Sequence, residues 1–131
     1  KWINKFDAPE NEVSFLKEAI EIIQNDKRKK TLITHYQFIA TVLDEDLNIL
    51  NRWYLWDNNT HPTESHKYFN FYQKMVNKNI KQNNVEVIYL LGLENEILFN
   101  NVKNYFTDLC FESKTLVDKR FSVHTIVKCK N

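Results

Sequence analysis

Glycine is nearly missing from this 131-residue chain; the one present is Gly92. That scarcity excludes the P-loop and the Gly-x-Gly-x-x-Gly turn, which need several glycines to bring backbone amides close to a phosphate. The Gly-x-Ser-x-Gly elbow and the His-Glu-x-x-His zinc helix are absent as well. Cysteine occurs twice, at Cys110 and Cys129, with no Cys-x-x-Cys pair and no zinc-finger spacing. Two readings stay open for these thiols: one disulfide in an oxidising compartment, or two separate buried side chains. No apolar run approaches the ~20 residues of a membrane span, and no segment reads as a signal peptide. Charge of one sign is not in excess. Eighteen basic and 17 acidic residues leave a net charge of +1, so a nucleic-acid partner is not expected. The chain opens on Lys1 rather than Met, as expected of a piece of a longer protein.

What is present suits one folded domain over residues 1–131. Hydrophobic residues make up 43% and aromatic residues 14% of the chain, enough for a core at this size without a metal. "NEVSFLKEAIEIIQND" places Val13, Leu16, Ala19, Ile20 and Ile23 at helical spacing. Asp7 with Glu10, or Asn11, is a candidate cap for its start. The run Lys27-Arg28-Lys29-Lys30 just beyond reads as a solvated cluster complementing the helix dipole. "TLITHY" (31–36) reads as a buried strand, "QFIATVL" (37–43) as a helix and "DEDLNILN" as a turn. Asp44, Asp46 and Asn48 have EF-hand spacing, but Ile49 and Leu55 replace the required Gly and Glu, and the calcium reading fails. Thr63 is a candidate cap for a long helix over 64–83, with Tyr68, Tyr72, Met75, Val76 and Ile80 on one face. "VEVIYLLG" (85–92) is almost wholly apolar, as expected of an interior strand. A further helix is expected over 95–109, with Leu98, Val102, Tyr105, Phe106 and Leu109 inward. "SKTLVD" and "FSVHTIVK" close the chain as strands. This alternation predicts a three-layer α/β/α sandwich with a small, mainly parallel sheet of Rossmann or flavodoxin-like type.

In open α/β sheets ligands bind beyond the carboxyl ends of the strands. His35, Tyr36 and Gln37 follow the first strand and Glu94 follows the second, so these four are candidates for one crevice. The same residues also serve a purely structural reading, as a polar strand end satisfying the next helix. "NRWYLWDNNTHPTESHKYF" (51–69) gathers Arg52, Trp53, Tyr54, Trp56 and His61. Rings and a guanidinium suit a sugar or a phosphate, and they equally anchor a long loop. His61 and His66 are poorly spaced for a shared metal, and neither metal nor cofactor is expected.

"ITHYQF", the "NRWY" to "HP" loop, "HKYFNFYQK" and "VEVIYLLG" carry a resemblance. From about Asn11 onward the chain resembles the soluble carboxyl-terminal region of bacterial multi-spanning membrane proteins. These are akin to lipid-linked-sugar glycosyltransferases of the dolichyl-phosphate-mannose type. The resemblance implies an extracytoplasmic, periplasmic domain whose partner is the membrane-embedded portion of its parent, with a lipid-linked sugar or acceptor as a further contact. It places the catalytic carboxylate in that membrane portion, so no catalytic residue carries over onto this chain. It also makes a Cys110–Cys129 bridge more credible. The rival expectation is a free-standing, cytoplasmic α/β ligand-binding module or small enzyme using the crevice near His35.

Overall fold

The computed structural model describes residues 8–50, 61–92, 99–100 and 102–130. Helix α1 spans Pro9–Asn25, strand β1 Lys30–Thr34, helix α2 Ile39–Leu43 and helix α3 Phe69–Gln82. Strand β2 spans Val87–Leu91, β3 Cys110–Val117 and β4 Phe121–Val127, with a 3₁₀ turn, Asp118–Arg120, between the last two. The four strands form one open sheet in the order β1-β2-β4-β3. β1 and β2 pair in parallel, whereas β2–β4 and β3–β4 are antiparallel. The expectation of a mainly parallel sheet is therefore corrected. A parallel pair needs a crossover of a dozen or more residues. β1 and β2 have one, through α2 and α3, but only the three residues of the 3₁₀ turn separate β3 from β4.

Two apolar cores lie on the two sides of the sheet. Phe69, Tyr72, Val76 and Ile80 of α3 pack on Ile33, Ile88 and Leu90, together with Val102, Tyr105 and Phe106. On the other side Phe15, Ala19 and Ile23 of α1, Ile39 of α2 and the loop residue Leu47 pack on Leu32, Val87, Tyr89, Leu91, Phe121 and Val123. Alternate side chains of β2 thus enter opposite cores, which is why its sequence is apolar without interruption.

The helix ends show how the chain manages with so little glycine. Asn84 is left-handed (φ 50°), the Asn84 amide donates to Lys81 O and the Val85 amide to Ile80 O. That is a Schellman stop for α3, with Asn in the place glycine usually takes. Asp44 (φ 48°) ends α2 the same way, with the Glu45 amide donating to Ala40 O. Asn48, also left-handed (φ 47°), donates through Nδ2 to Lys30 O, and its own carbonyl accepts from Thr31 Oγ1. This loop therefore covers the free edge of β1, where unpaired strand groups would otherwise invite association.

Several element boundaries differ from expectation. α1 begins after Ala8, without a side-chain cap and with Pro9 in its first turn. Its inward face centres on Phe15, Ala19 and Ile23, while Val13 is 51% exposed. α3 begins at Phe69, not at Glu64. Residues 63–69 instead make i→i−3 turns, with the His66 amide donating to Thr63 O and the Phe69 amide to His66 O. Phe69 is buried, while Tyr68 and Met75 face outward. Residues 104–108 are turns where the sequence suggested helix, yet Val102, Tyr105 and Phe106 are buried as expected. In the basic run, Lys27 Nζ donates to Gln24 O at the α1 end, as a dipole partner should. Lys30 departs from the solvated reading: it is buried and ion-paired to Glu45 at 2.7 Å.

The thiols are joined. Cys110, at the start of β3, and Cys129, two residues past β4, form a disulfide with a Cα–Cα distance of 5.1 Å. It closes the open end of the β3–β4 hairpin.

Candidate functional site at the carboxyl edge of the sheet

Parallel pairing brings the ends of β1 and β2 level, Thr34 beside Leu91, and Leu91 lies opposite Phe121 at the start of β4. Position 35, position 92 and position 120 therefore stand in a row at one edge of the sheet. The Gly92 amide donates to Arg120 O at 2.8 Å, extending the ladder one step into this row.

Gly92 has φ +141°, a conformation that side chains on L-residues rarely adopt. An added Cβ would lie 2.6 Å from His35 Nδ1 and 2.8 Å from His35 Cε1. Asp or Asn fills the left-handed turns elsewhere, but neither fits here. The chain's one glycine thus sits where the His35 ring lies against the backbone of β2.

His35 stacks obliquely on Tyr36, with ring centroids 3.9 Å apart. Burial pushes the His35 imidazole below its ordinary pKa, against the opposing pull of Glu12, so the ring is neutral at pH 7. The Tyr36 hydroxyl donates to Glu12 Oε1, one turn into α1. Burial and that hydrogen bond raise the phenol's pKa, so it remains a donor. The second Glu12 oxygen accepts from Arg120 Nη1 at 2.8 Å. The Arg120 guanidinium lies over the Phe15 ring, 4.0 Å from its centroid. Three elements distant in sequence are thereby tied together: the first turns of α1, the end of β1 and the turn before β4.

Of the residues singled out from the sequence, His35 and Tyr36 lie side by side at this edge. Gln37 lies beside them but turns back on its own strand, Nε2 donating to Thr34 O at 2.6 Å. The Tyr36 amide donates to Thr34 Oγ1, so the strand end is closed by its own threonine. His61 belongs to the other side of the sheet. Its Nδ1 is 3.1 Å from the Tyr72 hydroxyl in the core beneath α3, and burial lowers its pKa to about 4. His66 stays local, its Nδ1 accepting from the Tyr68 amide. Arg52, Trp53, Tyr54, Trp56 and Glu94 lie outside the described residues. Glu12 and Arg120 complete the cluster and were not foreseen. They are 108 residues apart, and no local pattern links them.

Both Glu12 oxygens have donors, so this carboxylate is held as a structural anion and not as a ready base. The neutral His35 ring, half-buried, has one donor and one acceptor nitrogen. Such a ring beside a phenol suits an uncharged hydroxylated group better than an anion. No protein-family model, curated protein or solved structure matches the chain.

Proposed function

We propose that this chain is an extracytoplasmic accessory domain of a bacterial membrane glycosyltransferase, with a structural or substrate-recognition role and no activity of its own. The observation that carries the location is the Cys110–Cys129 disulfide. Paired thiols persist in oxidising compartments and are rare in the cytosol. The accessory role is supported by the carboxyl-edge cluster, whose carboxylate is engaged on both oxygens. The parent activity rests on the resemblance of "ITHYQF", "HKYFNFYQK" and "VEVIYLLG". In this reading the helices on the two sides of the sheet make a three-layer α/β/α sandwich. The partner is the membrane-embedded portion of the parent, and a lipid-linked sugar or its acceptor meets the His35–Tyr36 edge or the Trp53–Trp56 stretch.

The test uses membranes carrying the whole parent protein and follows sugar transfer from a lipid-linked donor. His35→Ala and, separately, Trp53→Ala with Trp56→Ala are expected to lower transfer several-fold without loss of the folded protein. A parent that transfers no sugar from any lipid-linked donor would overturn the reading. It would return first place to a free-standing module using the His35 crevice.

A further inference from the structure

A second polar site lies on the α3 side of the sheet, where α3 no longer covers the strands. Ser113 pairs with His124 and Thr115 with Ser122 across β3 and β4. These four side chains share one face. With Phe99, Lys114 and Lys119 they line a cavity of about 230 Å³. His124 is held from both ring nitrogens: Nδ1 is 2.8 Å from Ser113 Oγ and Nε2 2.9 Å from Ser122 Oγ. The Phe99 ring is stacked on it at 3.6 Å, nearly parallel.

This arrangement leaves a surplus of donors. Burial lowers the His124 pKa to about 4, so the imidazole is neutral, with one N–H and one bare nitrogen. One serine gives its hydrogen to the bare nitrogen. The other accepts from the N–H and keeps its own hydrogen for a further partner. The Thr115 hydroxyl and the Lys119 ammonium group add more donors, while Lys114, paired with Val123, belongs to the other face of the hairpin. Among the described residues the cavity lining includes no carboxylate, and Lys119 forms no ion pair with any of them. Hydroxyls on a hairpin with a cation beside them are the elements of an oxyanion site. The volume is below that usual for whole small-molecule ligands, and fits one anionic group with a short attachment.

We propose that the β3–β4 hairpin binds a phosphate group in this cavity, with Ser113, Thr115 and Ser122 presenting hydroxyls and Lys119 neutralising charge. The inference stands apart from the glycosyltransferase reading, because it uses neither the His35 edge nor the resemblance. Titration of the ¹⁵N-labelled chain at constant ionic strength tests it. The probes are inorganic phosphate, a hexose phosphate and the neutral hexose. Phosphate is expected to shift the amides of residues 113–115, 119, 122 and 124 in a saturable way, and the neutral hexose is not. Tighter binding of the hexose phosphate identifies a phosphate ester as the ligand; equal binding identifies the free ion. Lys119→Ala, at an exposed position, should weaken binding at least tenfold while leaving the melting temperature unchanged. Shifts that are absent, or that survive the Lys119 substitution undiminished, would overturn the proposal.

Discussion

Among single residues, Gly92 and the buried histidines carry the most testable consequences. Gly92→Ala introduces both an unfavourable backbone conformation and a contact with the His35 ring. A loss of about 2–4 kcal/mol is expected in urea unfolding, typical of strain at a special backbone position. Gly92→Ala combined with His35→Ala should recover the steric part and leave the backbone part. The histidines set a pH dependence. His61 and His124 have pKa values lowered by burial to about 4 from 6.5. In the unfolded chain they take up protons at higher pH than in the folded protein. Their stability contribution is thus complete above pH 6.5 and is lost as pH falls toward 4. Each is worth up to roughly 3 kcal/mol, a large share of a typical domain's stability. The urea midpoint should therefore fall steeply between pH 6.5 and 4, and His124→Gln should flatten part of that slope. Asp26 adds little slope in this window, because its stabilisation is present above its unfolded pKa near 3.8 and is lost only below it. Burial disfavours its charge, but hydrogen bonds from Arg28 and Tyr89 hold its carboxyl far below the usual range.

At the scale of elements, the difference between reading and structure is instructive. Helix periodicity located α1 and α3, yet chose the inner face by counting apolar positions. Phe15 and Phe69 go inward, whereas Val13 and Met75 stay outside. Which row of side chains is buried depends on the sheet residues each helix packs against, and that is not written in the helix's own residues. Ile23→Ala should cost 2–5 kcal/mol, roughly the range for large-to-small core changes. Val13→Lys should stay within about 0.5 kcal/mol, and thermal unfolding of the two variants checks the corrected face. The strands are more legible, because β2 is apolar throughout, β1 carries a short β-branched run and β4 alternates. Their pairing is less so. A sequence that alternates strand and helix suggests parallel strands, and the short link between β3 and β4 is the detail that reverses the last pairings. His35 and Tyr36 could be placed at the sheet edge from strand position alone. Glu12 and Arg120 could not, since their meeting depends on how α1 and the β3–β4 turn are docked in three dimensions.

At the scale of the whole molecule, one covalent link and one ion pair hold distant parts of the chain. The disulfide spans 19 residues, and its removal should cost about 3 kcal/mol through the freedom restored to the unfolded chain. The Glu12–Arg120 pair joins the first helix to the last hairpin, and a double-mutant cycle on it should give a coupling of about 1 kcal/mol. The same disulfide bears on where the protein works. The most direct measurement is thiol trapping in intact cells that produce the protein. Cells are quenched with acid, alkylated before and after reduction, and the protein is weighed by mass spectrometry. The account predicts that Cys110 and Cys129 are unlabelled until reduced. Two thiols fully alkylated without reduction would contradict the extracytoplasmic placement, and with it the proposed role.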